Sequence, residues 1–178
     1  MPSAYDLRLV ILSYIVATSA AYVALDMVSR MVAVRDSKQA NIWLAGGALS
    51  MGIGIWAMHF IGMLALSLPI QLSYQPFETF ASLLIAIAVS AFAIKMGSEA
   101  KLNHLKLLIA GTTMGLGIAS MHYVGMMAIP VSPAIQYDLL WFALSILVAI
   151  VASIAALWIV HALRAKTMIS AFKEKTAS

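Results

Sequence analysis

The chain has 178 residues, of which 63% are apolar and 10% charged, with no cysteine and a formal net charge of +4. Soluble domains carry about 45–50% apolar and about 25% charged residues, so a water-soluble fold is excluded and the lipid bilayer is the expected surrounding. Without cysteine there are no disulfides, thiolate zinc sites, iron–sulfur clusters or cysteine nucleophiles, and any metal must rest on His, Met, carboxylate or backbone groups.

A bilayer core takes about 20 apolar helical residues to cross, and five charge-poor stretches approach that length. The first is Leu9 to Leu25, between Arg8 and Asp26. The second lies within the uncharged run Gln39 to Phe77 and is expected to end near Pro69. The third, Phe77 to Ile94, opens beside Glu78 and closes at Lys95; the fourth lies between Leu107 and Pro130, and the fifth between Leu139 and Leu163. These runs lack the short alternating pattern of a membrane barrel, so the predicted fold is an all-α membrane protein of five transmembrane helices. Arg30, Arg35 and Lys38 behind the first run read as a stop-transfer flank rather than the end of a cleaved signal peptide.

Lysine and arginine set the expected orientation. Arg30, Arg35 and Lys38 fall between spans one and two, Lys95, Lys101 and Lys106 between three and four, and Arg164, Lys166, Lys173 and Lys175 after five. The loops around Pro69–Pro76 and Pro130–Tyr137 contain neither residue. The N-terminus is therefore expected outside and the C-terminus in the cytoplasm, with residues 1–163 forming the membrane domain and 164–178 a basic tail or the start of a linker. This bias accounts for the net charge, so nucleic acid is not an expected partner.

The chain repeats itself. Met51 to Ala65 (MGIGIWAMHFIGMLA) matches Met114 to Ala128 (MGLGIASMHYVGMMA) at nine of fifteen positions, displaced by 63 residues. The same displacement lays Ala86–Ser90 over Ala149–Ser153, so the unit is a helix pair, one plain span followed by one motif span. A third motif falls due near residue 177, which leaves the third unit half present.

On a helix, residues four apart share a face. His59 and Met63 form such a pair, as do His122 and Met126, whereas Met58 and Met121 are expected to turn away, onto the face carrying Gly54, Gly62, Gly117 and Gly125. That glycine face suits close helix packing. An imidazole within a span needs a partner or a wet cavity and is a functional candidate by default. Counting back from Pro69 and Pro130 puts both imidazoles roughly 12–15 Å of helix from the outer end, at similar depth. Neutral imidazole with thioether is a soft ligand set suited to copper. The alternatives are a haem held non-covalently by the two His in an electron-transfer subunit, and a small transporter or accessory protein using the His as proton relays.

Elsewhere, Asp26 and Arg30 read as an interfacial ion pair four residues apart. No phosphate loop, Ser-His-Asp arrangement, paired intramembrane carboxylates or dinucleotide fingerprint is present, and no enzymatic activity is expected.

At Met58–His59–Phe60 and Met121–His122–Tyr123, followed by Gly62–Met63 and Gly125–Met126, the chain resembles the MHYT domain family of bacterial integral-membrane sensors. The resemblance implies a sensory module of the bacterial inner membrane whose motifs lie near the outer face. It further implies that the motifs bind copper and thereby sense oxygen, carbon monoxide, nitric oxide or redox state. Family members are often joined to cytoplasmic cyclic-di-GMP turnover domains, an implied signalling partner. Carried over by position, the implied ligands are Met58, His59 and Met63, then Met121, His122 and Met126. Ile61 and Val124 stand where the family name has Thr, Phe60 replaces Tyr in the first copy, and the family's third motif is missing.

Overall fold

The computed structural model describes residues 4–34, 36–67, 73–99, 103–130 and 137–177, with the backbone alone at 4, 67 and 164–177. Arg35, Lys101, Pro69 and most of the segment between Pro130 and Tyr137, used above to assign loops and orientation, lie outside the described residues.

Among the described residues, five helices are long and apolar enough to cross a membrane: α1 (Leu7–Ala33), α2 (Ser37–Leu64), α3 (Pro76–Ser98), α4 (His104–Met127) and α5, whose spanning part is Leu139–Leu163. The chain is a multi-pass membrane protein by this architecture. Helix starts follow local chemistry. Asp6, Asp36 and Asn103 accept N–H bonds from Arg8, Lys38 and Lys106, meeting donors that the first turn leaves unpaired. Pro76 opens α3, where a missing N–H costs nothing. Arg30 Nε donates to Asp26 Oδ2 at 2.7 Å and the guanidinium lies over Trp43, so the expected ion pair is present with an added aromatic partner. Helix α5 continues without a break to Ala177, through the basic segment set apart on composition.

One expected boundary is corrected: helix α2 ends at Leu64 rather than near Pro69, whereas α4 ends at Met127, before Pro130 as expected. The reason is a main-chain clasp that occurs twice. Ala65 and Ala128, both fully buried, follow the motif helices. The Ala65 carbonyl accepts the N–H of Asp6 at 2.8 Å, and the Ala128 carbonyl that of Gln75 at 2.7 Å. Asp6 and Gln75 are the residues that begin α1 and α3. Carbonyls at a helix end need such partners, and only a small side chain lets another strand of backbone approach. A two-residue antiparallel pairing of Ala4–Tyr5 (β1) with Leu66–Ser67 (β2) extends the first clasp and adds a small strand element to the helical fold.

Helix α2 packs between α1 and α3, and α4 between α3 and α5. Glycines set these distances in both copies. A Cβ on Gly52 would stand 2.6 Å from Ile87 Cα, and one on Gly115 2.5 Å from Ile150 Cα. Gly54 likewise meets Ala20, and Gly117 meets Val89. The Gly52–Ile87 contact recurs 63 residues on as Gly115–Ile150; the Gly54–Ala20 contact recurs as Gly117–Val89, its partner displaced by 69, which brings α1 into the repeat as the counterpart of α3 and α5 at a slightly longer spacing. Three sets of equivalent residues on these plain helices line one apolar pocket: Ala24, Ala93 and Ala156; Leu25, Ile94 and Leu157; Val28, Gly97 and Val160.

Candidate metal centre

The clasps determine where the motif side chains sit. Each motif helix stops five residues after its histidine, at Leu64 after His59 and at Met127 after His122. That is roughly 7.5 Å of helix, shallower than the depth counted from the prolines. Because both helices end on the same construction, both imidazoles lie at one level, and the narrow α2–α4 approach brings them together. Their ring centroids are 4.9 Å apart at an interplanar angle of 71°. The two Nδ1 atoms stand 3.4 Å apart.

At that separation a hydrogen bond between the rings requires that one Nδ1 carry a proton and the other accept it. His59 Nε2 is buried with no hydrogen-bond partner. It lies over Gly125 of the opposite motif helix, where a Cβ would come within 3.0 Å of it. Glycine thus lets the ring lie tightly against α4, where a methyl would make it give by a few tenths of an ångström. The equivalent glycine of the first copy, Gly62, has nothing within 4 Å of a Cβ position.

A pocket of about 260 Å³ opens beside the imidazoles, lined by His59, His122, Met58, Met121, Tyr123 and Ser145 among others. Met58 and Met121 therefore face the histidines' pocket rather than turning away. The neighbouring helix α5 closes the pocket, with Ser145 and Ala149 on its wall, and α5 was absent from the two-helix spacing argument. Met63 and Met126, the partners expected from four-residue spacing, are half-buried and not among the lining residues. Ser145 was not identifiable from sequence. Its hydroxyl is hydrogen-bonded to Tyr123 on α4.

Aromatic rings frame the pair in a repeated pattern. Phe60 meets Tyr74 at 5.2 Å and Tyr123 meets Tyr137 at 5.4 Å, both edge to face. His59 touches Phe60 and His122 touches Tyr123 in the same manner. Trp56 reinforces the first copy, its Nε1–H donating to Ser82 Oγ at 3.1 Å and the Thr79 carbonyl at 3.2 Å on α3. Tyr74 and Tyr137, beyond the helices, have their hydroxyl pKa values raised by burial, with Tyr123 adding to the effect on Tyr137. Both rings stay neutral at physiological pH, so the frame adds no charge.

Among the described residues no group of three or more His, Cys, Asp or Glu converges. The nitrogen donors of the site are the two imidazoles, and the other soft donors in the pocket are thioethers.

The family's sequence model, described as a bacterial signalling protein N-terminal repeat, matches twice, over residues 52–110 and 115–171. The chain belongs to the MHYT family. Over 162 residues it is 51% identical to the bifunctional diguanylate cyclase/cyclic di-GMP phosphodiesterase MucR of Pseudomonas aeruginosa, covering 91% of this chain and 24% of that protein. It is 42% identical to the cyclic di-GMP phosphodiesterase NbdA of the same organism and 36% identical to the signaling protein YkoW of Bacillus subtilis, each time over 91% of this chain and 20% of the relative. This MHYT chain thus spans a quarter or less of the length of these relatives. No solved structure matches.

Proposed function

We propose that this MHYT chain is a sensory module that holds copper between α2 and α4 and reports its state to a cyclic-di-GMP turnover domain. The observation that carries the reading is the convergence of His59 and His122, Nδ1 to Nδ1 at 3.4 Å, in a pocket lined by Met58 and Met121. Two metal–nitrogen bonds of about 2.0–2.1 Å at a tetrahedral angle span about 3.4 Å, so the imidazoles fit one shared cation. Two nitrogens plus thioether, with no carboxylate, select a soft ion such as copper over magnesium, calcium or manganese. The unpartnered Nε2 of His59 marks this ring as one whose polar capacity is not spent on the fold.

Bound copper would supply a site for a diatomic gas or a one-electron change. The protein's own residues do the rest. His59 and His122 join two helices of different repeat units, so any change at the pair bears on the α2–α4 spacing. Tyr123 and Ser145 carry the pocket wall across to α5. A signal requires that ligand binding favour one helix arrangement over another, and this junction of three helices is where such a difference acts. Axial haem ligation is less well supported, since rings 4.9 Å apart are in direct contact with no slot for a macrocycle between them.

Orientation and output follow from charge and kinship. Arg30, Lys38, Lys95 and Lys106 gather at the end away from the motifs, which supports a cytoplasmic location for that end and an outer-leaflet site in the bacterial inner membrane. MucR and NbdA are cyclic-di-GMP enzymes by name, so the matched region is read as the non-enzymatic input to an output of that kind. The test is metal analysis with absorption and electron paramagnetic resonance spectra on the protein purified from membranes. Copper without a Soret band supports the reading; a Soret band, or no copper after reconstitution, overturns it.

A further inference from the structure

Ser82 on α3 and Ser145 on α5 stand 63 residues apart, at equivalent places in the two units. Each spends its single proton on its own helix: Ser82 Oγ donates to the Thr79 carbonyl and Ser145 Oγ to the Phe142 carbonyl, both at 2.7 Å. A hydroxyl has one proton and two acceptor sites, so towards a neighbouring helix each serine can only accept. Both do. Trp56 Nε1–H of α2 donates to Ser82 Oγ at 3.1 Å, and the Tyr123 hydroxyl of α4 donates to Ser145 Oγ. In hydrocarbon no water competes for such donors, so a bond between two helices holds their relative rotation.

The two donors are not equivalent residues. The repeat counterpart of Trp56 is Ala119, and that of Tyr123 is Phe60. The first copy has the indole and lacks the phenol; the second has the phenol and lacks the indole. The acceptor serine and the bond to it persist while the donor changes place, which makes the bond, rather than either aromatic, the retained feature. Both donors also lead to an imidazole. The Tyr123 ring meets His122 edge-on at 5.0 Å, whereas Trp56 meets Phe60 at 4.9 Å and Phe60 meets His59 edge-on at 5.3 Å. In each unit a line of contact runs from serine through aromatic to imidazole.

We infer that Ser82 and Ser145 are positioning residues that fix the rotation of α2 and α4 and so hold His59 and His122 against each other. They act through the aromatic donors, as the groups behind metal-binding imidazoles do. That the two rings then hold copper rests on the reading above; their placement by the serines does not. Ser13 on α1, 69 residues before Ser82, donates to the Val10 carbonyl of its own helix in the same way, and among the described residues it receives no aromatic donor, which makes it the control.

The test uses the metal-free protein in lipid bilayers. With the histidine ring nitrogens labelled, magic-angle-spinning nuclear magnetic resonance should show a nitrogen–nitrogen cross-peak between His59 and His122, whose Nδ1 atoms are 3.4 Å apart. Ser82→Ala and Ser145→Ala should each lose most of that cross-peak, while Ser82→Thr, Ser145→Thr and the control Ser13→Ala should keep it. Trp56→Ala should lose it as well, and Trp56→Ala with Phe60→Tyr, which copies the donor of the second unit into the first, should restore it. That double variant decides the matter if a serine variant fails to insert. A cross-peak absent from the unmodified protein, unchanged in the alanine variants, or not regained in the double variant overturns the inference. Copper content is measured separately on the same preparations: the expected cross-peak losses without copper binding uphold the positioning role and overturn the copper reading alone.

Discussion

Gly125 of α4 lies against His59 of α2, so that a methyl added to the glycine would stand 3.0 Å from the imidazole Nε2 and 3.5 Å from the Phe60 ring. The contact is tight enough that the ring must shift. Under the proposed copper assignment, Gly125→Ala should therefore weaken binding about tenfold, the scale seen when groups that orient metal ligands are disturbed. Gly62→Ala, at the equivalent place in the first copy, meets nothing within 4 Å and should leave affinity unchanged. Competition titrations with a copper chelator on the two variants compare them directly. Equal effects would mean that ring placement is not what the glycine provides.

Under the proposed assignment each histidine supplies one of the two nitrogens that hold copper. His59→Ala and His122→Ala should each lose most of the bound copper, while membrane insertion stays intact because five apolar spans remain. Metal content per purified protein, beside the yield in the membrane fraction, separates ligand loss from failure to insert. Full copper retention in both variants would reject the assignment.

Met58 and Met121 line the histidine pocket, whereas Met63 and Met126 do not. Leucine conserves most of the volume of methionine and typically costs under about 1.5 kcal/mol in a core, so Met→Leu isolates the sulfur. Met58→Leu and Met121→Leu should lower Cu(I) affinity more than Met63→Leu and Met126→Leu. X-ray absorption at the copper edge should show sulfur scattering that diminishes in the first pair alone. The reverse order would return the ligand role to the four-residue pairs.

Gly52 and Gly115 face backbone rather than flexible side-chain ends, at Ile87 and Ile150. A methyl there can be accommodated only by moving a helix. Gly52→Ala and Gly115→Ala should each destabilise the bundle by about 1–3 kcal/mol, the cost typical of overpacking, despite the better helix propensity of alanine. Thermal unfolding in detergent, followed by helical circular dichroism, reads the loss. An unchanged midpoint would show that the helices part without cost.

Much of this was legible in sequence because the signals are long or duplicated. Charge-free runs near 20 residues identify spans almost regardless of packing, and a fifteen-residue motif repeated with nine identities places His59 and His122 at one depth before any coordinates exist. The rest depends on contacts distant in the chain. Prolines at 69 and 130 are natural stopping points, but α2 and α4 end earlier because Ala65 and Ala128 are tied to the residues that begin α1 and α3. That Met58 and Met121 line the histidine pocket follows from how α2, α4 and α5 surround it, which a rotation angle within one helix cannot supply. Helix α1 escaped the repeat search because it stands farther from α3 than α3 does from α5, so one fixed displacement misses it. Ser145 carries no motif at all; only its meeting with Tyr123 singles it out.

The paired clasps at Ala65 and Ala128 bear on how such a protein grows. Each helix pair fastens its exit to its own entrance through peptide groups, whose chemistry no substitution other than proline removes. A tandem copy made by gene duplication therefore arrives with its closure already built, and selection is left free to adjust the side chains between neighbouring copies. Lineages with different numbers of pairs can then arise without reinventing the joint.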